Sequence, residues 1–282
     1  MEITSLGPIG AAVSGVDISK PLAPDDVRRL ARAWYDNLVL VFRNQPLTDH
    51  QLAGFSKCFG DLEVSPIPDV LKGSAHVPDT PEIAVVSNVK VDGIPIGGLG
   101  DAEAHWHTDM SYIDSPPPGC LLHALVLPPE GGDTWFTNMY LAYEALPAHL
   151  KERIAGLELN HDCSTTSTGE PRRGFERITD VRQAPGARHP MVLTHPGSGK
   201  KALYLGRRLN AWIVGLPLEE SEALLDELWQ YCAKPDHVYR HEWSDRDLVM
   251  WDNRCTMHRR DAWTPGAART LHRAQLKNIK VQ

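Results

Sequence analysis

The 282-residue sequence is poor in the features that mark several whole classes of protein. Its five cysteines (Cys58, Cys120, Cys163, Cys232, Cys255) are odd in number, widely spaced and free of any Cys-x-x-Cys pair. That pattern argues against a disulfide framework and a zinc knuckle and is expected of buried thiols in a reducing compartment. No apolar run approaches the roughly 20 residues a membrane span needs, and residues 1–10 lack the basic start and apolar stretch of a signal peptide. The sequence is therefore expected in the cytoplasm, with no membrane partner. An excess of positive charge is also missing: 29 Lys and Arg against 36 Asp and Glu give a formal charge of -7, and the cations form no stripe suited to a phosphate backbone, so nucleic acid is not an expected partner. There are no internal repeats.

What is present suits one decorated domain spanning 1–282: 42% apolar and 23% charged residues supply an ordinary core. Pro24 to Asn37 has helical periodicity (Val27, Leu30, Ala31, Trp34) and leads into the β-type run Leu38 to Phe42. Thr48 with Gln51 forms a capping box for a second helix through Leu52, Phe55 and Phe59, which Gly60 can end. Leu62 to Ala104 is rich in Pro, Gly and Asp around one strand, Ile83 to Val89, and reads as loops bordering a site. Further short β-type runs are Leu121 to Leu127, Pro190 to His195, Ala202 to Leu205, Asp247 to Trp251 and Thr270 to Val281. Helical stretches lie at Met139 to Ala155, broken near Pro147, and at Leu218 to Cys232, stopped by Pro235. The polar, arginine-bearing segment 163–188 has no periodicity and is read as an insertion in the position of a lid. The class is mainly β, a sandwich or barrel with flanking helices.

The segment His105-Trp106-His107-Thr108-Asp109 places three possible ligands at alternate positions, which a strand would project from one face. With 13 His and 36 acidic residues, chance alone gives about one or two His-x-Asp/Glu pairs, so this spacing is weak by itself. It gains weight from Trp251-Asp252-Asn253-Arg254-Cys255-Thr256-Met257-His258, with Arg269 and Arg273 beyond. Two histidines and one carboxylate make the facial triad that suits iron(II) and leaves three positions open. Zinc also accepts such a set, so a zinc hydrolase stays open on these residues alone. Arg269 and Arg273 fall on one face of an alternating segment, and guanidinium groups turned into a β core require anions.

These residues resemble the taurine dioxygenase (TauD/TfdA) family of iron(II)- and 2-oxoglutarate-dependent dioxygenases, through Trp106 to Asp109 and Trp251 to His258. Phe59-Gly60-Asp61-Leu62, Gly131-Gly132-Asp133-Thr134 and Thr194-His195-Pro196-x-Ser198-Gly199 extend the resemblance over nearly the whole chain. It implies a double-stranded β-helix, a cupin-like jelly roll with helices covering one sheet. It implies that His107, Asp109 and His258 bind the metal, that Thr134 and Arg269 hold the distal carboxylate of 2-oxoglutarate, and that Arg273 lies toward the substrate or the proximal carboxylate. His105 becomes a neighbour of the metal. The implied reaction consumes O2 and 2-oxoglutarate, releases succinate and CO2, and hydroxylates a small substrate; beside oxygen, sulfur or nitrogen the product breaks apart.

The sequence departs from the taurine enzymes at Ser65 and Pro68, where those carry a His and a Tyr, and at Glu103, where they carry an Asn. Taurine is therefore expected to be a poor substrate. Arg273 points to an anionic substrate of the aryloxyalkanoate, alkyl sulfate or sulfonate type. Asn88 and Glu103 are its candidate contacts, and Ser87 to Lys90 resembles the aryloxyalkanoate branch. Hydroxylation or desaturation of an amino acid or natural-product intermediate is the alternative, and a non-catalytic jelly-roll metal-binding protein is another. The resemblance further implies a homo-oligomer, a dimer or tetramer.

Overall fold

The computed structural model describes residues 1–64, 76–97, 104–172 and 174–277. Two sheets carry the fold. The larger has eight strands in the order Glu2–Ser5, Ala11–Ser14, Val39–Phe42, Leu248–Asp252, Gly119–Val126, Thr270–Gln275, Thr80–Ser87, His76–Val77. The smaller has four: Val238–His241, Thr134–Asn138, Thr256–Arg260, Ala104–His107. Pairing within both is antiparallel except between Ala11–Ser14 and Val39–Phe42. The chain passes from the larger sheet to the smaller between Leu248–Asp252 and Thr256–Arg260, then returns at Thr270–Gln275. Such alternation winds the strands into a jelly roll.

Between the sheets, Leu122, Ala124, Trp251 and Leu271 of the larger meet Phe136 of the smaller in one core, which continues past Met257 on the smaller sheet's other face. A second core lies on the outer face of the larger sheet, where Leu40, Phe42 and Met250 meet Leu30 and Trp34 of helix Pro24–Asn37 and Leu52 and Phe55 of helix Asp49–Ser56. Val39–Phe42 is thus buried on both faces, which explains its unbroken apolar run. Each of these large apolar side chains contributes on the order of 1.5–3 kcal/mol by leaving water.

The first helix begins with Pro24 and carries Asp25 and Asp26 in its first turn, where the helix dipole favours negative charge. Both arms of the Thr48/Gln51 capping box form at the second. The stretch after Asn138 splits into helices Met139–Glu144 and Ala148–Ile154 around Pro147, because proline has no N–H to continue the ladder. Helices flank both sheets rather than the one expected: at the end of helix Leu218–Cys232, the Cys232 carbonyl accepts from Thr137 of the smaller sheet. Among the described residues no helix is long and apolar enough to cross a membrane.

Several strands differ from the expected pattern. Residues 62–104 hold His76–Val77, Lys90–Val91 and Ile94–Pro95 besides Thr80–Ser87, since two-residue strands leave no alternation to detect. Thr134–Asn138, Val238–His241 and Thr256–Arg260 carry buried Thr134, His241 and Arg260 in place of apolar residues. The interior of the smaller sheet is polar, so hydrophobic alternation does not mark it. Thr270–Gln275 is shorter than the expected run to Val281, whose residues 278–281 lie outside the described residues.

Candidate metal centre and acid-binding pocket

His107 ends the edge strand Ala104–His107 and is in register with His258 of Thr256–Arg260, their rings 4.2 Å apart. A bulge between His258 and Arg260 follows at once. Asp109 reaches the same point by a turn rather than by the strand alternation expected of it, since the strand stops at His107. Its place is fixed from a distant part of the chain: buried Asn253 accepts from the Asp109 N–H (3.0 Å), donates to the Asp109 carbonyl (2.8 Å) and donates to Pro117 (3.0 Å). His105 is exposed, and its carbonyl accepts a 2.7 Å hydrogen bond from His107 Nδ1. A carbonyl can only accept, so Nδ1 carries a proton, and in the neutral ring Nε2 is then the nitrogen whose lone pair faces a ligand, a common arrangement behind metal-binding histidines.

Asp109 Oδ1 lies 3.5 Å from His107 Nε2 and 3.9 Å from His258 Nε2, both within about twice a typical metal–ligand bond. One donor atom from each of the three residues lies within 4.8 Å of the others. Burial, joined by the neighbouring His107, pushes His258 down to about 3, keeping it neutral at physiological pH. Burial alone would raise Asp109, but His258, His107 and Arg273 outweigh it and hold the carboxyl well below its ordinary range. His258 and Asp109 are thus in the protonation states a divalent ion needs. Phe136 and Trp251 lie 6.1 and 5.1 Å from the His258 ring and wall it with apolar surface.

The arginine pair divides. Arg273 Nη1 stands 3.7 Å from Asp109 Oδ2. Arg269 is only 2% exposed; its Nε has no hydrogen-bond partner, its Nη2 donates to Gly132 at 3.2 Å, and among the described residues no carboxylate pairs with it. Burial and then the nearby Arg260 push its guanidinium down to about 9. Trp243 and Trp263 flank it at 5.9 and 5.4 Å. Thr134 is buried beside it on the smaller sheet, and its hydroxyl accepts from Trp243 Nε1 at 3.0 Å. The hydroxyl proton therefore remains available to an acceptor. Gly131 and Gly132, at φ +80° and +76°, permit this approach: a Cβ on Gly131 would come within 2.5 Å of the Ala262 carbonyl. A buried guanidinium with no carboxylate partner among the described residues and a hydroxyl proton still to be donated are groups that a ligand carboxylate could satisfy.

Asn88 is already engaged within the chain. Its amide donates to the Ala267 carbonyl (2.9 Å) and accepts from the Arg269 N–H (2.9 Å), so it steadies Arg269 at the entry to strand Thr270–Gln275, which carries Arg273. Ser65, Pro68 and Glu103 lie outside the described residues. Sequence reasoning quoted Asn253 within a motif without seeing its clamp on Asp109, and it passed over Trp243, which no local pattern marks.

The family model described as "Taurine catabolism dioxygenase TauD, TfdA family" matches residues 2–275. The chain is 36% identical to the alpha-ketoglutarate-dependent 2,4-dichlorophenoxyacetate dioxygenase of Cupriavidus pinatubonensis, over 94% of this chain and 93% of that one. It is 32% identical to the (S)-phenoxypropionate/alpha-ketoglutarate-dioxygenase of Sphingobium herbicidovorans, over 90% and 86%. The solved structure of AAD-2 in complex with Mn(II) and N-oxalylglycine superposes with a TM-score of 0.80 at 32% identity, covering 99% of this chain and 98% of that one. Sequence, fold and donor set thus agree: the chain belongs to the TauD, TfdA family and is a dioxygenase dependent on 2-oxoglutarate, iron(II) and O2.

Proposed function

We propose that this enzyme hydroxylates a small organic acid of the aryloxyalkanoate type, with iron(II) held by His107, Asp109 and His258. The observation that carries this reading is the juxtaposition of three metal donors with a buried guanidinium that has no carboxylate partner among the described residues. When bound, iron(II) with 2-oxoglutarate activates O2, one oxygen atom going to succinate as CO2 leaves and the other to a substrate C–H bond. Arg269 and the Thr134 hydroxyl would hold the distal carboxylate of 2-oxoglutarate and so orient the cosubstrate. His107, locked by the His105 carbonyl, presents one nitrogen in one orientation.

Arg273, beside Asp109, adds to the pull of His258 and His107 that keeps that carboxylate ionised, and it would offer a cation to an incoming carboxylate. Phe136 and Trp251 keep bulk water from the His258 side of the site. Hydroxylation beside an ether oxygen gives a product that breaks into a phenol and an oxo acid. The aryloxy-acid reading is supported by the two relatives named for such substrates; alkyl sulfates and sulfonates are the further anionic classes to examine. Residues 163–188 serve as the lid in this reading, the enzyme is a dimer or tetramer, and it works in the cytoplasm, where its five free thiols stay reduced.

Succinate release measured with iron(II), ascorbate and a panel of aryloxyalkanoates, alkyl sulfates, sulfonates and amino acids tests the substrate class. Turnover of phenoxyacetates supports it; exclusive turnover of an amino acid contradicts it.

A further inference from the structure

A cavity of about 900 Å³ lies beside the metal-bearing strand, between segment 163–188 and helix Leu218–Cys232. Trp106, Leu209 and Trp229 give it apolar walls, and its size suits a small organic ligand. Four arginines line it, and three are already neutralised. Arg182 is paired with Asp180, Arg208 with Glu222 and Asp226, and Arg259 with Asp261. The fourth, Arg207, has no carboxylate partner among the described residues, and its Nε is buried without a hydrogen bond.

Arg207 is also tied to the metal site. Its backbone bridges His107, and the adjoining Gly206 carbonyl accepts from the Thr108 N–H at 2.9 Å. Its Nη1 donates to the carbonyls of Thr165 and Thr166 at 2.5 and 2.8 Å, binding segment 163–188 to the metal strand. Burial, then the nearby Arg172, lowers its guanidinium from the ordinary value, while Asp162, Tyr112 and Asp109 act in the opposite sense. Carbonyl dipoles satisfy two hydrogen-bonding directions without cancelling the charge.

We propose that this cavity is a binding site for a small organic acid, whose acidic group Arg207 holds and whose apolar body lies against Trp106, Leu209 and Trp229. The inference rests on the organic-acid reading above only for the class of ligand, and binding at this cavity does not require turnover. A neutral ligand of the same shape gains only the apolar walls; a monoanion also gains the Arg207 guanidinium, which has no carboxylate partner among the described residues.

The test titrates phenoxyacetate and phenoxyacetamide against the full-length protein, following fluorescence of the cavity tryptophans Trp106 and Trp229. The wild type is expected to prefer the acid, Arg207→Gln to weaken acid binding at least about fivefold with the amide within about twofold, and Arg207→Lys to restore part of the preference. Arg182→Gln, at a guanidinium already paired, keeps it. A wild type without preference, a loss in Arg207→Gln below about fivefold, or equal losses for acid and amide overturns the proposal. Equal losses with faster tryptic cleavage of 163–188 identify a structural latch alone. Because binding is read apart from turnover, a protein that shows the preference but releases no succinate sinks the functional reading and leaves this inference standing.

Discussion

Asn253 grips both backbone groups of Asp109, accepting from its N–H at 3.0 Å and donating to its carbonyl at 2.8 Å across 144 residues of sequence. The amide is buried, so no water can replace it. The turn after the edge strand has no ladder to hold it, and Asn253 supplies the constraint that a longer strand would have given.

Asn253→Ala leaves three buried hydrogen-bonding groups unmatched and should cost about 2–4 kcal/mol. Divalent-metal affinity should fall roughly 10- to 100-fold, the usual penalty for losing a group that orients a ligand. Chemical denaturation and an anaerobic metal titration check the two effects; an unchanged metal affinity would show that Asp109 is positioned by something else.

Arg269 gives a prediction of opposite sign for two measurements. Its buried charge has no carboxylate partner among the described residues, so Arg269→Met should leave the ligand-free protein as stable as the wild type or more so. The same variant should lose the stabilisation that 2-oxoglutarate gives, which for the wild type is about 2.7 kcal/mol at a hundredfold excess over Kd. Thermal melts with and without 2-oxoglutarate separate the effects, and a variant still stabilised by 2-oxoglutarate would place the distal carboxylate elsewhere.

Asp252 ends the strand before the Asn253 turn and is fully buried, 3.0 Å from His195 Nε2 and held by Arg254. Burial alone would raise its carboxyl, but Arg254 and His195 outweigh burial and hold it below the ordinary value. A depressed carboxyl stabilises the fold above the unfolded value of about 4, and this contribution disappears as pH falls through the lower folded value. Asp252→Asn should therefore lower Tm at pH 7 and flatten the acid limb of the stability curve. A variant as stable as the wild type at pH 7 would remove the cluster from the account.

Taurine should be turned over far more slowly than phenoxyacetates, because the residues expected to meet its sulfonate and amine are replaced by Ser65, Pro68 and Glu103. Sulfite release quantifies this, and sulfite formed as fast as succinate from an aryloxy acid would contradict it.

The legible parts of the fold were those governed by apolar periodicity or by a capping residue. Helix Pro24–Asn37, the Thr48/Gln51 cap and the doubly buried strand Val39–Phe42 follow from local rules. Thr134–Asn138 and Thr256–Arg260 did not, because their inward residues serve a polar site. His107 and His258 were visible through their motifs, yet nothing local revealed that they pair across adjacent strands. Arg207 was invisible as well, since its significance lies in which neighbouring arginines already have partners.

The central claim is tested most directly by succinate formation from 2-oxoglutarate in the iron(II)-loaded protein under O2 with a phenoxyacetate, beside Asp109→Ala. The account predicts iron-dependent succinate in near-stoichiometric step with phenol release for the wild type, and a loss of at least about 100-fold in the variant, whose remaining two histidines hold the metal poorly. Equal succinate formation by both proteins would contradict it.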